Sequence, residues 1–239
     1  MKGIILAAGD GDRLGVLTLG VPKALLDVGG RPLIGYPLAA QAAAGIDEIA
    51  VVVGYLGDRI WEVLGDGSQF GVRLSYIPND DYWGGNAVSV HKARQWVQGE
   101  PVVLCMADHV IEQGLVKRLV ENGPAEETLC VDHSPGEHLN IDEATKVALD
   151  GDGCIRNIGK GLARWDALDT GVFLLTGRFF HFLDGLVRRH GLGVEISDAI
   201  RFIVGQGHRF RTCDVSGCFW MDVDTKEDLD TVRGRVRPV

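Results

Sequence analysis

The 239-residue sequence predicts an α/β fold: a three-layer sandwich in which a mixed, mainly parallel sheet carries helices on both faces, with a small β-hairpin extension. Three observations predict it. Short apolar runs such as GIILAA, EIAVVV and PVVLCM lack polar alternation, as strands buried on both faces do. Each of the first four such runs is followed by a stretch with helical character. The hairpin signal, Asp150-Gly151-Asp152-Gly153, comes only after this rhythm is under way.

Taken in order, GIILAA is the first strand. The stretch from Pro32 to Ala44 is alanine-rich, and Pro32 suits a first helical turn because its missing N–H is not needed there. EIAVVV is the second strand, 57–64 a short helix, VRLSYI the third strand and 85–97 a helix. PVVLCM is the fourth strand, 115–121 is helical, and ETLCVD is the fifth strand. ATKVALDGDGCIRNIGK places two short runs around the DGDG turn, and DTGVFLL adds a further strand. Helices over 177–190 and 195–205 follow. RFRTCDV and FWMDVD precede a last helix from Thr225, where Asp228 takes the place of the commoner Glu in a capping box. No repeat or low-complexity linker interrupts the chain, so residues 1–239 are read as one domain.

The composition excludes several functions. A net charge of -9 leaves no broad basic surface for nucleic acid, although a few local cations suffice for a small anion. Cys105, Cys130, Cys154, Cys213 and Cys218 are scattered, odd in number and without CxxC spacing. They read as reduced thiols of a cytoplasmic protein, not as a zinc site. MKGIILAAGDGD is a strand running into aspartates, not a signal peptide, and no apolar run is long enough to span a bilayer.

The first strand runs into Gly9-Asp10-Gly11-Asp12-Arg13-Leu14-Gly15, with Pro22-Lys23 just beyond. Glycines after a first strand let backbone N–H groups approach an anion. The dinucleotide pattern G-x-G-x-x-G fails, because its third glycine falls on Leu14, and no Gly-Lys-Ser/Thr of a P-loop is present. A tight turn without a ligand remains the alternative. PVVLCM runs into Asp108 and His109, at the strand end where open α/β sheets bind ligands. Asp222 and Asp224 precede the last helix, and strand alternation would point them the same way. Asp108 with one of them can form a hard-oxygen site for Mg²⁺. A helix cap for Asp224 and a surface loop for Asp108 are the alternatives.

LAAG-x-G-x-R-L-G followed by P-K-A-L-L-D-V-G-G-R-P-L-I, from Leu6 to Ile34, resembles the opening of the nucleotidyltransferase family that joins nucleoside triphosphates to sugar and alcohol phosphates. That resemblance implies a Rossmann-like fold of the nucleotide-diphospho-sugar transferase type, nucleotide-binding in its first half and acceptor-binding in its second. It implies that Leu6, Ala7, Ala8 and Gly9 hold base and ribose through backbone contacts, and that Arg13 and Lys23 are catalytic cations on the triphosphate. The family stretch W-x-[DE]-[IV]-D-T-x-E-D is matched from Trp220 to Asp228, with Lys226 where proline is common. This ranks Asp224 above Asp222 as the partner of Asp108 on Mg²⁺. Gly85 and Asn86, at a helix start, become readers of the base; a plain cap or turn is the alternative.

The ADH of Asp108-His109, the EATKV of Glu143 to Val147 and the DTGVF of Asp169 to Phe173 are similar to the CTP:inositol-1-phosphate cytidylyltransferase branch. That branch makes CDP-inositol and is often fused to a membrane synthase that consumes it. With the chain ending at Val239, the synthase is expected as a separate protein. For the acceptor, Lys146 and Lys160 are candidates for the phosphate, and Asp169, Thr170, Glu195 and Asp198 for the hydroxyls. Helix N-terminal charge is the alternative reading of the last two. His109 is read as structural or acceptor-orienting. No general base is expected, since the acceptor phosphate attacks the α-phosphorus directly. Other substrates stay open: a sugar 1-phosphate with UTP, GTP or dTTP, or choline phosphate or a phosphonate with CTP. A non-catalytic nucleotide sensor on this fold would lack Lys23 or a metal aspartate, and this chain keeps them all.

Overall fold

Strand β1 (Lys2–Ala7) is apolar from Gly3 onward because it lies in the middle of a sheet covered on both faces. The computed structural model describes residues 1–122 and 126–236. After β1 come the two-residue strands β2 (Asp27–Val28) and β3 (Arg31–Pro32), α1 (Gly35–Ala43), β4 (Glu48–Val53), α2 (Gly57–Leu64), β5 (Arg73–Pro78), α3 (Asn86–Lys92), α4 (Arg94–Val97), β6 (Val102–Met106), β7 (His109–Ile111) and α5 (Gln113–Asn122). The second half holds β8 (Thr128–Asp132), β9 (Lys146–Leu149), β10 (Ile155–Gly159), β11 (Ala167–Leu175), α6 (Gly177–His190), α7 (Ile196–Gly205), β12 (Arg211–Asp214), β13 (Trp220–Asp222) and α8 (Lys226–Arg235).

One sheet runs β10-β9-β11-β6-β1-β4-β5, with β8 also on β11 and β12 on β8. Strands β6, β1, β4 and β5 are mutually parallel. The antiparallel β11 beside β6 makes the sheet mixed and joins the two halves of the chain. The expected hairpin is β9–β10, attached at the edge through β9 and β11.

Alternation along β1 divides the core. Ile5 packs with Leu38 of α1, Leu115 of α5 and Val232 of α8 on one face. Ile4 and Leu6 pack with Val90 of α3, Phe179 of α6 and Ile200 of α7 on the other. Each such buried side chain contributes about 1.5–3 kcal/mol. No helix among the described residues is long and apolar enough to cross a membrane.

Three local features depart from or add to expectation. Pro32 lies in the β2–β3 ribbon, not in a helix. Gly29 and Gly30, at φ 64° and 84°, close its tight turn, and the proline in the first turn of α1 is Pro37. The helix expected over 85–97 is two helices parted at Ala93. The third is a strand with no sequence signal of its own: β7 pairs antiparallel with β13, placing Asp222 opposite His109.

Candidate active site

At the carboxyl ends of β1 and β6 a cavity of about 260 Å³ is lined by Leu6, Ala7, Gly9, Arg13, Lys23, Asp108 and Asp224, together with Asp10 to Asp12. The glycine loop folds back on the lysine. Gly11 has φ 71°, and a side chain there would meet Lys23 Cβ at 3.0 Å and Thr18 Cγ2 at 3.1 Å. Asp224 reaches the site from the far end of the chain because β13 pairs with β7 and the Val223 N–H then donates to the Asp108 carbonyl at 3.0 Å. The cap of α8 holds it there. Asp228 accepts from the N–H groups of Asp224 (3.0 Å) and Thr225 (2.7 Å), and Thr225 accepts from the Asp228 N–H. This is the expected capping box.

Lys23 Nζ lies 2.7 Å from Asp108 Oδ2 and 2.6 Å from Asp224 Oδ1, and Arg13 Nη2 lies 2.7 Å from Asp224 Oδ2. Burial alone would pull the Lys23 ammonium down, but the two carboxylates outweigh it and hold its pKa above the ordinary value. Burial would push Asp108 up. The Lys23 charge and the His109 hydrogen bond win, and hold its carboxyl well below the usual range. His109 Nδ1 sits 2.8 Å from Asp108 Oδ1, and this contact lifts the imidazole against the opposing effect of burial.

Asp108 and Asp224 thus present two hard anionic oxygens to one point. Mg²⁺ commonly takes one or two carboxylates and completes its shell with substrate phosphates and water, so this pair fits it. No cage of three or more His, Cys, Asp or Glu side chains occurs among the described residues. Asp222 departs from expectation: it lines a second cavity, not the one with Asp224. β13 ends at Asp222, so strand alternation does not extend to Asp224.

That second cavity, of about 510 Å³, shares Arg13 with the first. It brings together His109, Lys160, Asp169, Glu195 and Asp222, as well as Asn86. Asp169 Oδ1 accepts the Gly171 N–H at 2.7 Å, yet burial still pushes its carboxyl up to about 6. Gly171 has φ 74°, and a Cβ there would lie 2.7 Å from His109 Nε2.

The structure commits five other expected residues elsewhere and moves a sixth. Ala8 does not line the first cavity, and its carbonyl accepts the Tyr55 N–H at 3.0 Å. Gly85 is a packing glycine: a Cβ would fall 2.1 Å from the Val194 carbonyl oxygen. Asn86 opens on the second cavity and ties two helix starts together. Its N–H donates to Glu195 Oε2 at 3.1 Å, and its Oδ1 accepts the Ile196 N–H at 2.7 Å. Lys146 Nζ donates to the carbonyls of Asp142 (3.3 Å) and Lys160 (3.0 Å), which braces the loop before the hairpin. Thr170 is fully buried and donates to the Cys130 carbonyl at 2.9 Å. Asp198 accepts the Glu195 N–H at 2.9 Å and pairs with Arg201, so its carboxylate is engaged at the N-terminus of α7. Missed were Asn140, Glu143, Thr145, Gly171 and Trp220 in the second cavity. Glu143, Thr145 and Gly171 lie inside the EATKV and DTGVF stretches, so the signal was there.

A glycine loop, a lysine between Asp108 and Asp224 and an adjoining polar cavity define a nucleotidyltransferase. The chain belongs to the MobA-like NTP transferase domain family, which it matches over residues 3–175. Among proteins, it is 32% identical over 230 residues to the bifunctional IPC transferase and DIPP synthase of Aquifex aeolicus, and 35% identical over 228 residues to that of Rubrobacter xylanophilus. These alignments cover 96% and 94% of the chain, which spans about half the length of either relative (50% and 49%). A glucose-1-phosphate thymidylyltransferase of Streptomyces griseus is 27% identical over 96% of the chain and 64% of its own length. Among solved structures, the inositol-1-phosphate CTP transferase from T. maritima superposes with a TM-score of 0.86 at 24% identity, over 98% of this chain and 95% of that one. That likeness establishes the shared fold.

Proposed function

We propose that the chain transfers a cytidylyl group from CTP to inositol 1-phosphate, giving CDP-inositol and pyrophosphate. The observation that carries this reading is the meeting of two cavities at Arg13, one lined by Lys23, Asp108 and Asp224 and the other by polar groups suited to a phosphorylated polyol. The choice of CTP and inositol phosphate is supported by the names of the bifunctional relatives and of the T. maritima neighbour.

The triphosphate lies over the Gly9–Arg13 loop, with Lys23 and Arg13 on its oxygens. Its arrival gives both cations phosphate partners in place of the carboxylates they now hold. Asp108 and Asp224 would hold Mg²⁺, which would neutralise phosphate charge when bound. A non-bridging oxygen of the acceptor phosphate attacks the α-phosphorus in line. The new P–O bond forms as the bond to the β-phosphate oxygen breaks, and pyrophosphate leaves. The phosphate nucleophile is already anionic, so no proton needs removal and His109 is not required as a base. Lys23 and Arg13 stabilise the charge that builds on the α-phosphoryl oxygens and the leaving group. The acceptor cavity is built mostly from residues beyond 106, and Lys160 and Arg13 anchor the acceptor phosphate there. A CDP-alcohol product implies a consuming synthase as the next enzyme.

Pyrophosphate release should be measured with CTP, UTP, GTP, dTTP and ATP against inositol 1-phosphate, glucose 1-phosphate, choline phosphate and 2-aminoethylphosphonate. CTP with inositol 1-phosphate is expected to exceed every other pair by at least tenfold in kcat/KM. A sugar 1-phosphate with dTTP or UTP as the best pair would replace this reading with the one that the Streptomyces griseus relative suggests.

A further inference from the structure

The proposed chemistry uses no thiol, yet the fold sets two of the five cysteines side by side. β12 pairs with β8 in parallel, and Cys213 is the register partner of Cys130. Both pack on the same face of the sheet, Cys130 within the core and Cys213 at its edge. There the Cys130 S–H donates a hydrogen bond to the Cys213 sulfur. That bond, helped by the Arg118 charge, holds the Cys213 thiol below its ordinary pKa against the effect of burial. Cys130 is buried, and burial pushes its thiol up. Cys213 is half-buried on β12, a strand at the end of the sheet. Beyond β8, only a single bridge, Cys154 to Arg211, joins β12 to other strands among the described residues.

We infer that Cys130 and Cys213 form a reversible thiol–disulfide pair that hydroperoxides close, and that its closure acts on the acceptor side of the site. Neighbouring strands lie about 4.7–4.9 Å apart, and a disulfide joins Cα atoms about 4.4–6.8 Å apart, so the register permits the bond. Cys213 is the attacking sulfur, because it is the more exposed thiol and the one favoured as thiolate. Its thiolate attacks a peroxide oxygen. The S–O bond forms, the O–O bond breaks, and the departing hydroxide takes up the proton that Cys213 gave to solvent. Cys130 then attacks the sulfenic sulfur. The S–S bond forms, the S–O bond breaks, and a second water leaves with the Cys130 proton. Two thiols thus lose two electrons, and one hydrogen peroxide is reduced to two waters. Cys218 is also half-buried, but burial raises its thiol and it lies outside the strands, opposite neither cysteine. Closure has a mechanical consequence. The two Cβ atoms must come to about 3.8 Å, closer than the strand spacing, so β8 is drawn toward β12. Val131, beside Cys130, is the register partner of Asp169, which lines the second cavity. The displacement therefore reaches the wall of that cavity, away from Lys23, Asp108 and Asp224. This last step rests on the cytidylyltransferase reading above; the pair itself does not.

The full chain is treated with hydrogen peroxide, digested with trypsin without reductant, and its peptides are weighed by mass spectrometry. Cleavage after Arg118, Lys146, Arg211 and Lys226 puts Cys130 on one peptide and Cys213 with Cys218 on another. Those two peptides are expected joined, lighter by two hydrogens, in wild type and in Cys218→Ser. They should be separate in Cys213→Ser and after dithiothreitol. No joined peptides in wild type, or joined peptides that persist in Cys213→Ser, overturn the pair. In oxidised wild type, KM for inositol 1-phosphate is expected to rise at least about threefold, with KM for CTP within about twofold, because only the acceptor's placement is disturbed. Dithiothreitol should reverse the rise, and peroxide should not produce it in Cys213→Ser. An unchanged acceptor KM in the bridged protein overturns the action on the acceptor side and leaves the pair standing. A reduced chain that turns over no inositol 1-phosphate overturns the functional reading, and the peptide masses still decide the pair.

Discussion

Lys23→Ala tests the centre of the proposed chemistry. The side chain is 12% exposed and its ammonium holds two carboxylates, at 2.7 and 2.6 Å, so its loss removes the one cation among the described residues that touches both. In the proposed reaction the same group faces the triphosphate, where the loss of one preorganised charge donor costs about 2.7–4 kcal/mol of transition-state stabilisation. The lower bound corresponds to a hundredfold fall in turnover. Stability has the opposite complication: Asp108 and Asp224 are left facing each other, and breaking a buried pair costs about 3–5 kcal/mol, less here because the two carboxylates are 30% and 19% exposed. The Asp108 pKa is depressed in the folded state, so its stabilising effect is present above its unfolded value, about 3.9, and is lost as pH falls below it. Lys23→Ala should therefore flatten the loss of stability on acidification. The assay is pyrophosphate release at saturating CTP and inositol 1-phosphate, with thermal unfolding followed between pH 3 and 7. Turnover within tenfold of wild type in a folded variant would remove Lys23 from the mechanism.

The other predictions concern its surroundings. His109→Asn should slow turnover less than tenfold, against at least about a hundredfold for Asp108→Ala; a complete loss in the histidine variant would restore it as a base. Asp169 is raised in the folded state to about 6, above its unfolded value of about 3.9, so its contribution is favourable below pH 4 and is lost as pH rises toward 6. Asp169→Asn should accordingly raise Tm at pH 7 by about 2–4 °C even as it weakens acceptor binding, and a lower Tm there would contradict the stated burial cost. Asp228→Ala removes the acceptor of two N–H bonds and should cost about 1–2 kcal/mol in denaturant unfolding, with a further drop in turnover because Asp224 is released. Thr170→Val, by contrast, should lose about 1 kcal/mol of stability and leave acceptor KM unchanged, since its hydroxyl is spent on the Cys130 carbonyl.

The order of strands and helices was legible in the sequence because strands buried on both faces are continuously apolar and the helices between them are not. That Gly9, Arg13 and Lys23 share one cavity was legible for a related reason: they lie within one short stretch after β1, so local chain geometry nearly suffices to bring them together. The capping box at Thr225 and Asp228 is likewise a contact between close neighbours in sequence. What the sequence left open depends on distant partners. Gly85 and Asn86 look free at a helix start until the segment from Leu192 to Ile196 packs onto them. Lys146 and Thr170 look available until the carbonyls of Asp142, Lys160 and Cys130 claim them. Asp222 and Asp224 are separated by the end of a three-residue strand, which exists only because β7 offers its edge. Sequence by itself determined which groups could do the chemistry, since residue type and local spacing set charge and backbone freedom. Tertiary structure alone decided which of them were already spent on one another, because a hydrogen bond or ion pair between remote segments exists only once the chain has folded.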